Sequence, residues 1–310
     1  MPEGVEGSLT ARLTAAWRAE ESEKREGKKL FTDSYSGYFA GEEGRRFAAS
    51  MRELIPGHRQ MILLRTRYLD DFLKRARGEG IAQVVLLGAG YDCRALRLKE
   101  LKEAKVFELD HPSTQDPKLD TLKEVLGTLP SHVTYLPADF EEEGLPELLG
   151  KLTAKGYDSG KRTVCVLEGV LQYLKETVVK EVLQLVPQGM GLGSRVIFNC
   201  FPPQEEVGRE GRQAGQETAR IGEPLKWGLR PDQIEDFLRE LGYTHHHILP
   251  MEEIKERYLE EGLIDSSFAL ENGTLGPFAQ DYRLVEAGTS EMLSFDQRKM
   301  GRMKDSYRRR

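Results

Sequence analysis

The sequence predicts an α/β fold: a parallel sheet covered by helices on both faces, behind a helical N-terminal stretch. Three observations predict it. From Ile81 onward, short apolar runs alternate with amphipathic segments, the pattern of strands joined by crossover helices. The runs Val84–Leu87 and Thr163–Leu167 are almost wholly apolar, as strands buried on both faces need to be. The first run ends in Gly88-Ala89-Gly90, which lets the backbone turn tightly and come close to a ligand at the top of such a sheet.

Residues 1–80 read as a helical N-terminal cap. Leu9, Leu13, Ala16 and Trp17 lie at helical spacing, and Met61, Leu64, Tyr68, Leu69, Phe72 and Leu73 form a stronger apolar face. Between them Phe31–Tyr38 is loop-like and aromatic, and Gly78-Glu79-Gly80 ends the region. Residues 81–290 carry the sheet. Strands are expected at Gln83–Leu87, Ala104–Leu109, His132–Leu136, Thr163–Leu167 and Arg195–Cys200, and two late ones near Tyr243–Leu249 and Phe278–Glu286. Helices are expected at Pro112–Leu126, Leu145–Leu152, Glu176–Leu185 and Asp232–Leu241, the last stopped by Gly242. The stretch 201–229 is polar, holds one helix and reads as a lid insertion; residues 291–310 read as a basic tail ending in Arg308, Arg309 and Arg310.

Composition limits the function. Forty-five Lys and Arg against 51 Asp and Glu, a net charge of −6, argue against a general nucleic-acid binder. No run approaches about 18 consecutive apolar residues, so no membrane partner is expected. The N-terminal residues lack the pattern of a secretory signal. Cys93, Cys165 and Cys200 form no CxxC pair and no zinc pattern, which suits a reducing cytoplasm and predicts no metal. The expected partner is a small molecule.

The candidate site lies at the carboxyl ends of the strands, where open α/β sheets bind ligands. In the dinucleotide fingerprint G-x-G-x-x-G the third glycine is replaced by Cys93, and Asp92 would repel a pyrophosphate. Three more acids occupy matching positions: Asp110 after the second strand, 22 residues beyond Gly88, Asp139 after the third, and Glu168 after the fourth. Taken singly, each acid also suits a helix cap, Asp110 before His111-Pro112 above all. Together they suit a ligand with a ribose diol, an amino group and positive charge, and S-adenosylmethionine has all three. Its carboxylate calls for a cation, which Arg65 or Arg67 can supply from the preceding helix.

These segments resemble the leucine carboxyl methyltransferase family over about residues 17–286. The family includes enzymes that methylate a protein C-terminal carboxylate and bacterial relatives that act on small molecules such as polyketides. The resemblance rests on Arg18–Glu21 with Leu30–Tyr35, on Arg65–Asp71, on Leu87–Arg94 with Phe107–Pro112, and on Glu168–Leu174. It implies a Rossmann-like class I methyltransferase with a seven-stranded, mostly parallel sheet, one late strand being antiparallel. It also implies that Arg65 binds the methionine carboxylate and that Gly88, Ala89 and Gly90, with Asp92 beside them, receive the methionine portion. Asp110 would hold the ribose, Asp139 and Phe140 the adenine, and Glu168 would face the methionine or sulfonium end. The chain departs from the family where Asp33-Ser34 replaces Asp-Pro and Cys93 replaces Thr, and Lys28 and Lys29 are candidates for an N-terminal lysine of the eukaryotic branch.

The implied reaction is O-methylation of a small molecule by direct displacement, at a carboxylate or a hydroxyl; methylation of a protein C-terminus is the alternative. A carboxylate is already ionised near neutral pH, whereas a phenol would gain from a base. Tyr173 is the candidate for orienting the acceptor, or else a packed core aromatic. The acceptor pocket is expected between Trp17, Phe31, Tyr35 and Tyr38 on one side and Phe201–Trp227 on the other, although the same aromatics suit packing of the cap onto the sheet. Two other classes share this sheet: a nicotinamide-dependent oxidoreductase and a non-catalytic scaffold. His245-His246-His247 lies on an expected strand, so its side chains alternate between faces and make a poor metal site.

Overall fold

The computed structural model describes residues 7–27 and 29–289. The expected basic tail and Lys28 lie outside the described residues. Helices α1 (Leu9–Ser22), α2 (Ser36–Leu54) and α3 (His58–Gly78) precede β1 (Gln83–Leu87). The short α4 (Arg94–Arg97) leads to β2 (Lys105–Asp110), α5 (Pro112–Leu126), β3 (Val133–Pro137), α6 (Leu145–Ala154), β4 (Thr163–Leu167), α7 (Glu176–Gly189) and β5 (Arg195–Cys200). Then come α8 (Arg209–Arg220), α9 (Ile234–Glu240), β6 (His245–Pro250), α10 (Met251–Glu260), α11 (Pro277–Gln280) and β7 (Arg283–Gly288).

The seven strands run in the order β3-β2-β1-β4-β5-β7-β6. β1 to β5 are mutually parallel; β7 is antiparallel to both β5 and β6. The order reverses between β1 and β4, so the crevice for a ligand opens above those two strands. All five residues of β1, all five of β4 and all six of β5 are buried, which explains why they are mostly apolar, with Gln83, Thr163, Arg195 and Asn199 as the buried polar members.

The helical cap is part of the main core. Leu13 and Trp17 of α1, Met51 of α2 and Leu63, Leu64, Tyr68 and Phe72 of α3 join Val84, Val164 and Ile197 of the sheet in one apolar cluster. A second cluster fills the opposite face between the sheet and α6, α7 and α9. Burying side chains of this size contributes roughly 1.5–3 kcal/mol each, which is what fixes the cap on the sheet.

Two late elements differ from the sequence reading. Phe278 is not in a strand: Pro277 opens α11 and the strand starts at Arg283. Gly276, at φ 85, makes the turn into it. The helix α10 was not foreseen, although Met251, Ile254 and Tyr258 bury one face of it and Glu252 and Glu253 favour its N-terminus.

Candidate functional site

At the end of β1 the chain turns through Gly88 and Gly90, at φ 63 and 47. A Cβ at Gly88 would lie 2.4 Å from Val170 Cγ2, so no side chain fits there. The Gly88 and Ala89 amides donate to Leu109 O at 2.8 and 3.2 Å, which ties the turn to β2. The Gly90 amide donates to the Asp110 carboxylate, and the His111 amide does the same at 2.6 Å. The cap of α5 is therefore His111, not Asp110: its side chain accepts from the Ser113 amide. Burial pushes the Asp110 carboxyl above its ordinary value, against the pull of the Gly90 and His111 amides. Its remaining lone pairs line a cavity of about 490 Å³.

Two of the other acids, Asp92 and Glu168, are already matched by arginines. Arg94, almost fully buried, donates to Asp70 at 2.8 Å, to Asp92 at 2.6 Å and to Glu168. Arg65 donates through Nε to Glu168 at 2.7 Å and through Nη1 to the Tyr282 hydroxyl at 2.6 Å. Burial alone would raise the Glu168 carboxyl, but Arg94, then Arg65 and Arg18, bring it down to about 2. Asp92 is also held low: burial opposes ionisation and Arg94 prevails. Two of the four acids in the ring expected from the sequence are thus neutralised, with Asp110 and Asp139 left outside the arginine cluster.

The two candidate cations differ in position. Arg65 lines the cavity. Arg67 instead donates to Leu30 O at 2.6 Å and to Asp71 at 2.9 Å. Arg65 Nη2 has no hydrogen-bond partner among the described residues. Asp139 accepts from the Glu141 amide at 2.9 Å and lies 3.6 Å from His111 Nε2, and Phe140 lies beside it in the cavity wall.

Tyr173 lines the same cavity and reaches Thr10 Oγ1 at 3.4 Å. Burial and then Glu223 push its hydroxyl up to about 12, so it is neutral at physiological pH. Glu223, unremarked in the sequence, accepts from the Leu9 amide at 2.7 Å, from Ser8 Oγ at 3.1 Å and from Thr10 Oγ1, linking the 201–229 stretch to the start of α1.

The pocket-side aromatics need correction. Trp17, Phe31, Tyr35 and Tyr38 do not line the cavity. Trp17 and Phe31 are buried in the core, Tyr35 packs with Phe39 and Tyr91, and Tyr38 is 59% exposed. From α1 the lining is Thr10, Ala11, Leu13, Thr14 and Arg18. The wall continues with Met51, Met61, Ile62, Phe201 and Phe278, and Trp227 sits in the other core cluster. His58 was also overlooked: it lies one turn before Met61 on the face of α3 that carries Met61, Ile62 and Arg65 into the cavity. That spacing was the available signal.

Cys93 is buried, and burial raises its thiol well above the ordinary value, so it is not a poised nucleophile. His245–His247 fall on β6, and among the described residues no group of side chains is placed to hold a metal. No helix among the described residues is long and apolar enough to cross a membrane.

Residues 11–186 match the family described as leucine carboxyl methyltransferase. A provisionally named S-adenosyl-L-methionine-dependent methyltransferase of Streptomyces coelicolor is 34% identical over 209 residues, 63% of this chain and 67% of the relative. A second from the same organism is 32% identical over 217 residues, covering 64% and 73%. One from Frankia alni is 36% identical over 135 residues, 44% of this chain and 46% of its own length. Two crystal structures share the fold. A provisionally named methyltransferase of Thermobifida fusca aligns with TM-score 0.63 at 17% identity, over 93% of this chain and 97% of the other. A DUF574 family protein of Streptomyces avermitilis aligns with TM-score 0.62 at 13% identity, over 91% and 98%. These matches displace the nicotinamide alternative. The chain belongs to the leucine carboxyl methyltransferase family and is an S-adenosyl-L-methionine-dependent methyltransferase of class I fold.

Proposed function

We propose that this methyltransferase acts on an oxygen of a small, largely apolar molecule. The observation that carries the reading is the cavity itself: one section is polar and built from the strand ends, and the other is apolar and bordered by the 201–229 stretch. The polar section suits the cofactor. Asp110 keeps lone pairs for a ribose diol, and Arg65 keeps Nη2 for the methionine carboxylate. Gly88 and Gly90, at φ 63 and 47, allow the tight turn that brings the backbone against the methionine portion. Asp139 and Phe140 border the place for the adenine, and Glu168 and Asp92 hold Arg65 and Arg94 in position.

S-adenosyl-L-methionine supplies an electrophilic methyl carbon on a positively charged sulfur. The protein's contribution is to hold the acceptor oxygen in line with that carbon and to exclude water. Tyr173 stays protonated and can donate a hydrogen bond to the acceptor. The 201–229 stretch acts as the lid, with Glu223 fastening it to α1.

Calorimetry with S-adenosyl-L-methionine tests the site. Asp110→Ala and Arg65→Ala are each expected to weaken binding about tenfold or more, the loss of a charge-assisted hydrogen bond. Wild-type affinity in both variants, with both folded by circular dichroism, would refute the assignment.

A further inference from the structure

His58 is the one imidazole in the apolar section of the cavity. It begins α3, and Gly57 before it has φ 85 with the Leu275 carbonyl 1.7 Å from where a Cβ would sit. That close approach fixes the start of the helix and hence the ring. Trp17 meets the ring edge-on at 4.9 Å and Phe278 at 4.8 Å. Nδ1 is fully buried with no hydrogen-bond partner. Nε2 has no hydrogen-bond partner among the described residues and keeps some accessible surface, and the ring forms part of the cavity wall. A polar edge aimed into an apolar cavity costs stability unless a ligand satisfies it.

We propose that His58 is the specificity-determining anchor of the acceptor pocket, and that the acceptor it holds is an uncharged aromatic molecule bearing a hydroxyl or carbonyl oxygen. This rests on the cofactor placement proposed above. His58 precedes Arg65 by two helical turns, about 10 Å along the axis. With Arg65 on the methionine carboxylate, His58 grips the acceptor well away from the cofactor's anchored end. A neutral imidazole with Nδ1 desolvated presents its N–H at Nε2, where an acceptor oxygen can receive it. Burial and Arg65 both oppose protonation of this ring and bring it down to about 3. It therefore offers no positive charge to a carboxylate. The cations that line the cavity are spoken for: Arg18 by Asp33 and the Tyr91 carbonyl, Arg65 by Glu168, Tyr282 and, through Nη2, the cofactor's carboxylate, and Lys226 by Glu141 at 3.1 Å. A carboxylate in the apolar section would be buried without a counter-ion.

The test uses protein saturated with S-adenosylhomocysteine and two probes of similar shape, naphthol and naphthoate. Wild type is expected to bind naphthol at least about tenfold more tightly than naphthoate, the cost of burying an unpaired charge. His58→Phe is expected to lose about fivefold to tenfold in naphthol affinity, the loss of one hydrogen bond, with unchanged S-adenosylhomocysteine affinity. His58→Gln, which keeps an N–H donor, recovers part of that loss. Equal or tighter naphthoate binding, no binding of either probe, or wild-type naphthol affinity in His58→Phe overturns the proposal. Failure of the wild type to bind S-adenosylhomocysteine at all would instead sink the cofactor placement, and this inference with it.

Discussion

Glu168 lies between two guanidinium groups with little access to water. Burial opposes its charge, yet Arg94 and Arg65 hold it ionised down to about 2. The sign of the pH dependence follows. A carboxyl whose folded value lies below its ordinary 4.5 adds stability above that value and loses it as pH falls toward about 2. Glu168→Gln is therefore expected to destabilise the protein by about 3 kcal/mol at neutral pH, as for breaking a buried pair. The gap to wild type should narrow as pH falls from about 4.5 toward 2, followed by urea midpoints. A gap independent of pH would show that the charge of Glu168 contributes nothing. At this scale the sequence was only partly legible. It placed Glu168 at a strand end, but nothing local reveals that Arg94 reaches Asp70, Asp92 and Glu168 together. That convergence arises only when α3 packs over β1 and β4.

The elements of the sheet were the most legible part, because each strand buried on both faces has to be apolar along its length. β1, β4, β5 and α5 have the limits read from the sequence. Legibility failed where an element takes its position from a distant partner, and the join between the 201–229 stretch and α1 is the clearest case. Glu223 sits in a polar stretch with no periodic signal, yet its carboxylate meets the first turn of α1 through the Leu9 amide, Ser8 and Thr10. A negative group at a helix N-terminus satisfies free amides and complements the helix dipole. Glu223→Ala should cost about 1 kcal/mol of stability, the typical value of a lost cap. Its larger effect belongs to the proposed lid: amide exchange should accelerate both in the first turn of α1 and across residues 201–229. Faster exchange at α1 alone would mean that the lid is held by its apolar contacts and not by this carboxylate.

Across the whole molecule, a chain of buried charges joins the cap to the site. Arg18 Nε lies 3.2 Å from Asp33, Arg97 Nε 3.7 Å from the same carboxylate, and Arg97 pairs with Asp70 at 2.6 Å. Asp70 pairs with Arg94, which holds Asp92 and Glu168. Arg18 also donates to the Tyr91 carbonyl, within the glycine turn itself. The cap was legible in the sequence as helices, but its electrostatic attachment was not, since its members are spread from Arg18 to Glu168. Asp33 is the link that commits the cap: its side chain is wholly buried, and it accepts from the Tyr35 and Ser36 amides at 3.2 and 3.1 Å as α2 begins. Asp33→Ala leaves Arg18 without its carboxylate and takes one of two from Arg97, and should destabilise by about 3–5 kcal/mol. Asp33→Asn keeps an oxygen for the two amides but not the charge, and should fall between the two. If the chain of charges also sets the position of the glycine turn, S-adenosyl-L-methionine affinity should decline in the same order, wild type above Asn above Ala, at a temperature where all three are folded. Equal affinities alongside unequal melting temperatures would confine Asp33 to holding the cap. A parallel decline would show that the cap and the cofactor site are stabilised as one unit.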